Sequence, residues 1–444
     1  MATRSSVRLP LISAASVLLF LPPCPASPPA QPAKPDRLAW WREARFGMFI
    51  HWGPVSLKGT EISWSRANSN PAHPNKGLIP VQVYDNLYRD FDPKQFDATE
   101  WARLARSAGM KYMILTAKHC DGFCLWNSRI DDYSIAGTPF RRDVCAELAK
   151  AAREQGLRIG WYYSPMDWRD PDCRTERNAA YVARMHGHLR ELLSGYGPIS
   201  LLWFDTDGCP APWDQERTYR LVRSLQPEII INNRLDLGSM SEYEAMPIAP
   251  QADYYTPEQR VGNYDDRRPW ETCMTLGSQW SWKPNDRIKS TAECVRILAR
   301  CAGGDGNLLL NVGPMPTGQI EPRQADVLRG IGKWLERNGE SIYGTRGGPY
   351  LPTENLASTR RGNVVYLIVL KGSPGPLVLP ELPARVVSAS TLDGREVKTG
   401  SQGGKMNIIL PAAELDAAAL VIRVMLDSPA DGIPVIALPG SPRR

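Results

Sequence analysis

A chain of 444 residues is too long for one small core, so two structural domains are the starting expectation. Its 43% hydrophobic and 23% charged residues are ordinary for a soluble globular protein. The net charge of +6 is mild and its Lys and Arg residues are scattered, which leaves no case for a nucleic-acid partner.

The chain opens with Arg4 and Arg8 ahead of an apolar run from Leu9 to Leu21, then Pro22, Pro23, Cys24 and Ala26. This is the pattern of a secretory signal over residues 1–26 with a small-residue cleavage region. The run is too short to span a membrane. Two prolines before Cys24 argue against lipid attachment there. Residues 27–37 form a Pro-rich leader. Export to the periplasm or the medium is therefore expected. Eight of the nine cysteines remain after signal removal, too widely spaced for a small disulfide scaffold, and one sequence does not set their pairing.

From residue 38 to 345 short apolar runs alternate with amphipathic segments. The runs are "FGMFIHWG", "KYMILTAKH", "RIGWYYSP", "SLLWFDTDG", "EIIINNR" and "NLLLNVGP". They lack in/out alternation, as expected of strands buried on both faces of a parallel sheet. Between them lie helices such as "FDATEWARLARSAG", with Asp97 and Glu100 as a capping box, and "EPRQADVLRGIGKWLERNG", with Pro322 in its first turn. Repeated β-then-α order allows a doubly wound sheet or a (β/α)8 barrel. Nearly every run ends in a polar or aromatic cluster: His51-Trp52, Lys118-His119, Tyr162-Tyr163, Trp203-Phe204-Asp205, Asn233-Arg234. A barrel gathers functional side chains at many strand ends, whereas a doubly wound sheet uses one switch point beside a Gly-rich loop, and no such loop is present. The reading is an α/β fold, a (β/α)8-like TIM barrel. Residues 346–426 change to short β-prone runs with a hairpin-type turn at Asp393-Gly394, which predicts a C-terminal antiparallel β-sandwich. The Pro-rich tail 427–444 reads as loose.

Fourteen tryptophans and sixteen tyrosines supply flat faces that suit sugars as well as cores. Asp205 is the strongest single candidate for chemistry, a carboxylate ending a buried strand beside Trp203. The competing role, capping the next turn, falls more naturally to Asp207. Glycoside hydrolysis needs two carboxylates. The second candidates are Glu258 in "DYYTPEQ" and Glu271 in "RPWETC". The stretch "TAKHCDGFCLW" places His119, Cys120, Asp121 and Cys124 close in sequence, yet C-x3-C with a single nearby His falls short of a zinc set of about four ligands. A thiol nucleophile would need a base and an anion hole, and none is singled out. His186 and His188, on a helical run, read as solvated or packing residues, and His73 in a Pro-rich loop receives no role.

"WWREARFGMFIHWGPVSLKGTEISWSR", "TAKHCDGFCLWNS", "RDVCAELAKAAREQGLRIGWYYSPMDW", "LLWFDTDG", "DYYTPEQ", "PWETCMTLGSQWSW" and "GGDGNLLLNVGPMPTG" occur in order over residues 38–345. Together they resemble glycoside hydrolase family 29, the α-L-fucosidases. The resemblance implies a retaining mechanism with Asp205 as nucleophile and Glu258 as acid/base, Glu271 being the alternative. It implies sugar contacts from His51, Trp64, His119, Tyr162, Trp203 and Arg234, with Trp280 near the C5 methyl of fucose. It calls for no metal and no cofactor, and its partners would be fucosylated oligosaccharides or glycoconjugates. Where the family usually reads Lys-His-His-Asp-Gly-Phe this chain reads Lys-His-Cys-Asp-Gly-Phe, so Cys120 replaces a second pocket histidine. A fucose-binding relative with little activity and a related α-L-galactosidase are the competing readings. Oligomeric state is not legible.

Overall fold

The computed structural model describes residue 1 and residues 36–67, 77–206, 213–236, 251–371, 376–410 and 418–441. The signal, nearly all of the leader, His73 and Asp207 lie outside these ranges. Seven strands form one parallel sheet: β1 (Phe46–Ile50), β2 (Tyr112–Lys118), β3 (Arg158–Tyr163), β4 (Leu201–Phe204), β5 (Ile230–Ile231), β6 (Glu271–Thr275) and β7 (Asn307–Val312). Their order is β5-β4-β3-β2-β1-β7-β6. The gap between β5 and β6 is stitched by the extended segment 253–258 through single parallel bridges, Asn232 to Tyr254, Tyr255 to Trp270 and Glu258 to Cys273. With that segment as an eighth strand the sheet closes on itself.

Side chains along each strand alternate between barrel interior and helix layer, as the pleat requires. Phe49, Ile114, Tyr162, Leu201, Trp203, Ile230, Tyr254, Cys273 and Leu309 share one buried interior cluster. Their neighbours Met48, Met113, Trp161, Leu202 and Leu310 belong to the larger core. Both faces are buried, which is why the strands read as continuous apolar runs. Helices Ala98–Ser107, Val144–Glu154, Asn178–Ser194, Gln215–Leu225, Thr291–Gly303 and Pro322–Asn338 follow β1, β2, β3, β4, β6 and β7. Among the described residues no helix follows β5 or the segment 253–258, so the β/α alternation is incomplete there. None of the described helices is long and apolar enough to cross a membrane.

The first of these helices has half of its expected capping box. Asp97 accepts the Thr99 and Glu100 N–H groups at 2.8 and 3.2 Å. The Glu100 carboxylate instead takes Arg103 Nη1 at 2.5 Å. Ser290 and Glu293 form a complete box at the start of Thr291–Gly303.

Beyond Arg346 the pairing is antiparallel. One sheet runs β12-β15-β10-β9-β8 and a second β11-β14-β13, built from β8 (Arg346–Gly347), β9 (Leu356–Arg361), β10 (Val364–Val369), β11 (Leu377–Pro380), β12 (Val386–Thr391), β13 (Thr399–Gln402), β14 (Lys405–Ile408) and β15 (Leu420–Leu426). Trp334 and Arg296 of the barrel helices donate to the Ala419 and Ala418 carbonyls at 3.1 and 3.2 Å, which fastens the sheets to the barrel. Residues 427–441 are not loose. Ala430 and Ile433 are buried in the second core, Ile436 and Leu438 pack against it, the Leu351 N–H donates to the Ile436 carbonyl at 2.9 Å and the Ile436 N–H to the Pro349 carbonyl at 2.8 Å. Apolar residues spaced through a Pro-rich tail give it something to bury, which composition alone hides.

Candidate active site

The C-terminal ends of the parallel strands meet at one mouth, where a single guanidinium holds two carboxylates. Arg234, just past β5 and 1% exposed, gives Nη1 to Asp205 Oδ1 at 2.7 Å and Nη2 to Glu258 Oε2 at 2.9 Å. Its Nε donates to Thr256 Oγ1 at 2.7 Å, so the fork is fixed from behind. The Tyr162 hydroxyl donates to the other Asp205 oxygen at 2.9 Å. Asp205 and Glu258 keep 22% and 24% of their side chains exposed, enough to reach a ligand in the mouth. Burial pushes the Asp205 carboxyl up to about 6; Arg234 pulls it down and the neighbouring Glu258 charge pushes it further up.

A column of flat groups forms the wall beside these acids. His119 stacks on Tyr162 at 5.3 Å and 3°, and Tyr162 on Trp203 at 5.6 Å and 19°. Arg234 lies 4.3 Å over the Trp203 ring. Opposite, Trp280 leans on His51 at 4.8 Å and on Phe49 at 5.9 Å, giving an apolar side. Burial brings His51 down to about 3 and His119 well below the usual imidazole range. Both are neutral rings near pH 7, suited to hydroxyl groups rather than anions.

Three supporting residues escaped the sequence reading. Asn311 on β7 bonds His51 Nδ1 through Oδ1 at 2.7 Å and donates Nδ2 to the Trp280 carbonyl at 2.7 Å. Ser63 meets His119 Nδ1 at 2.6 Å. Glu61 accepts the Trp280 and Ser281 backbone N–H groups at 2.8 and 3.2 Å, tying the loop after β1 to the one after β6. Only alternation on β7 could have flagged Asn311; the partners of Ser63 and Glu61 are remote in sequence.

His51, His119, Tyr162, Trp203, Arg234, Asp205 and Glu258 gather at this mouth, with Trp280 beside His51. Arg234 bonds both acids and Thr256. Trp64 stands at the rim, 38% exposed, edge-on to Trp168 at 5.3 Å. Cys120 Sγ rests 3.3 Å from Ser164 Oγ, which in turn donates to the Asp205 carbonyl at 3.2 Å. A register irregularity between Thr116 and Lys118 bends the end of β2 here. His186 and His188 are both buried, not solvated.

Glu271 is not at the mouth. It begins β6 instead of ending it, so it lies at the barrel floor, fully buried. Oε2 accepts the Tyr112 hydroxyl and the Trp41 Nε1–H, the latter at 3.2 Å. Tyr112 reaches across because Gly47 faces it: a Cβ there would stand 2.3 Å from the ring. Burial raises the Glu271 carboxyl to about 7. The folded chain therefore holds a proton that the unfolded chain releases, and stability falls as pH rises from the ordinary glutamate value of 4.5 to about 7. Glu271→Gln should flatten that fall, which runs at no more than about 1.4 kcal/mol per pH unit. Thermal unfolding of both proteins at pH 5 and 7 measures it. An unchanged slope in the variant would reject the assignment.

A family model described as alpha-L-fucosidase matches residues 27–340. The plasma alpha-L-fucosidase of Homo sapiens is 30% identical over 408 residues, covering 84% of this chain and 83% of that one. Alpha-L-fucosidase isoenzyme 1 from Paenibacillus thiaminolyticus is 34% identical with a TM-score of 0.79, over 88% of this chain and 99% of that one. A GH29 alpha-L-fucosidase from Bacteroides thetaiotaomicron, caught as a covalent intermediate with 2-fluoro-fucosyl fluoride, has a TM-score of 0.79 at 25% identity, over 88% and 96%.

Proposed function

The chain belongs to the α-L-fucosidase family, and from that premise we propose that it is a retaining, exo-acting enzyme releasing terminal α-L-fucose from glycans or glycoconjugates. The observation that carries the assignment of roles is Arg234 holding Asp205 and Glu258 on its two terminal nitrogens. In the first step the ionised Asp205 carboxylate attacks the anomeric carbon as Glu258 protonates the departing glycosidic oxygen. The C–O bond to the aglycone breaks and an ester to Asp205 forms. In the second step Glu258, now a carboxylate, takes a proton from water, whose oxygen displaces Asp205 and regenerates the free acid pair. Negative charge moves from one side of Arg234 to the other and back, so the guanidinium keeps one anionic partner throughout. A relative trapped as a covalent intermediate supports the two-step course.

The neutral rings of His51 and His119 and the hydroxyl of Tyr162 suit the sugar's hydroxyls, and Trp280 with Phe49 suits its methyl. These are directional bonds on one side and an apolar wall on the other. The N-terminal pattern of residues 1–26 supports export to the periplasm or the medium.

Hydrolysis of an aryl α-L-fucoside, followed by NMR, is the direct test: the first sugar released should be the α anomer. A folded protein that binds fucose without cleaving the glycoside would make it a binding relative. Equal turnover of the α-L-galactoside would move the specificity. The acid role has its own signature. Glu258→Ala should slow fucosides with poor leaving groups on the order of 10³-fold while largely sparing the first step with an acidic phenol, which leaves without a proton. A uniform loss across leaving groups would reassign that residue.

A further inference from the structure

On the outer face of β2 and β3, away from the mouth, three side chains from one loop and one helix converge. They are Cys124 and Asp131 in the loop after β2, and His188 in the helix Asn178–Ser194. One ligand-capable atom of each lies within 4.8 Å of the others. We propose that Cys124, Asp131 and His188 form a structural site for a zinc-class divalent ion, with water as the fourth ligand.

Thiolate, imidazole and carboxylate are the zinc donor set, and with water they complete a tetrahedron. Such a tetrahedron separates ligand atoms by roughly 3.3–3.8 Å, so a contraction of at most about 1–1.5 Å closes this one. The outer contacts already orient the ligands. The Tyr163 hydroxyl meets His188 Nδ1 at 3.0 Å, which leaves Nε2 as the coordinating atom. Among the described residues that buried Nε2 has no hydrogen-bond partner. The Tyr133 N–H binds Asp131 Oδ1 at 2.8 Å and leaves Oδ2 for the ion. Cys124 Sγ lies a long 3.7 Å from the Gly122 carbonyl. A metal-bound histidine commonly has its other nitrogen held in this way. Charge closes as well: thiolate and carboxylate balance a dication, and the nearby Lys118 is already paired with Asp167 at 3.2 Å. Cys124 and His188 are buried while Asp131 is only half-buried, which gives the ion an entry path. Bound there, it would clip the loop carrying Cys124 to the helix behind the wall that holds His119 and Tyr162.

Cobalt is the probe. The mature protein, loaded with Co²⁺ and dialysed, should retain one equivalent and show sulfur-to-cobalt charge-transfer absorption in the near ultraviolet. Cys124→Ser should abolish the band, and His188→Gln should weaken cobalt binding about tenfold or more. Cys294→Ser, on a different helix, should leave both unchanged. Should Cys124→Ser fail to fold, the affinity of His188→Gln decides. No retained cobalt, a band that survives Cys124→Ser, or unaltered affinity in His188→Gln overturns the site. Aryl fucoside hydrolysis in the same samples reads the sugar site separately.

Discussion

Asp205→Ala should lower kcat on an aryl α-L-fucoside by on the order of 10³-fold or more, roughly 4 kcal/mol of barrier. The variant should stay folded, because Asp205 ends its strand at the mouth and is only half-buried. Loss of rate alone would not separate a nucleophile from a positioning group. The product formed with added azide does. With the carboxylate gone, azide can approach from the face it vacated, opposite the leaving group, and should yield β-L-fucosyl azide with partial recovery of rate. A slower reaction that still gives α-L-fucose, with no azide rescue, would assign the nucleophile to another carboxylate. Turnover equal to that of the wild type would remove Asp205 from the chemistry.

Arg234→Met should be nearly as costly, by a different route. The guanidinium pulls the Asp205 carboxyl down against burial and against the Glu258 charge, leaving it at about 6. Without the cation two carboxylates face one another uncompensated, so the Asp205 carboxyl must rise above about 6. The attacking form is the ionised one. Activity should therefore be lost as pH falls through about 6 in the wild type, and this acid limb should move to higher pH in Arg234→Met. The accompanying drop in kcat/KM is expected to be on the order of 10²-fold or more, since charge no longer transfers across a shared partner. Unfolding should also come earlier, as breaking a buried ion pair from one side costs about 3–5 kcal/mol at most and less where the acids meet water. The pH profile is the deciding readout. An acid limb that stays in place would mean that Arg234 only binds sugar.

Some of this was legible in the sequence and some was not, for physical reasons. Strands buried on both faces announce themselves as apolar runs, and a carboxylate ending such a run, Asp205, stands out against them. Choosing Glu258 over Glu271 needed the family resemblance, because the segment it occupies pairs through single bridges and has no strand-like pattern. Glu271 looked equivalent to it until the direction of β6 was known; a residue that opens a parallel strand belongs to the floor and one that follows it to the mouth. The contacts of Arg234 with Asp205 and Glu258, like that of Glu61 with Trp280, join parts of the chain that only the closed barrel brings together, so neither could be read from local spacing. Composition misjudged the tail because a few apolar residues, Ile433 among them, outweigh its prolines.

The two acids stand on unequal supports. Asp205 follows β4, which is paired along β3 on one side and with β5 on the other, whereas Glu258 belongs to the stitched segment between β5 and β6. Towards β6 the segment is laddered by Tyr255 N–H to Pro269 O at 3.1 Å, Glu271 N–H to Tyr255 O at 3.0 Å, Cys273 N–H to Pro257 O at 3.0 Å and Gln259 N–H to Cys273 O at 2.9 Å, whereas towards β5 the Asp253 N–H to Ile231 O bond at 2.8 Å stands at its start. The amides of its β5 side should therefore exchange with deuterated solvent sooner than those of β1–β4. Asp205 would then sit on a strand bonded along both edges, and Glu258 on one bonded along its β6 edge, with its β5 edge the looser of the two. Swapping the segment's neighbouring loops would be the natural way to change which glycan is cut without disturbing how the bond is broken.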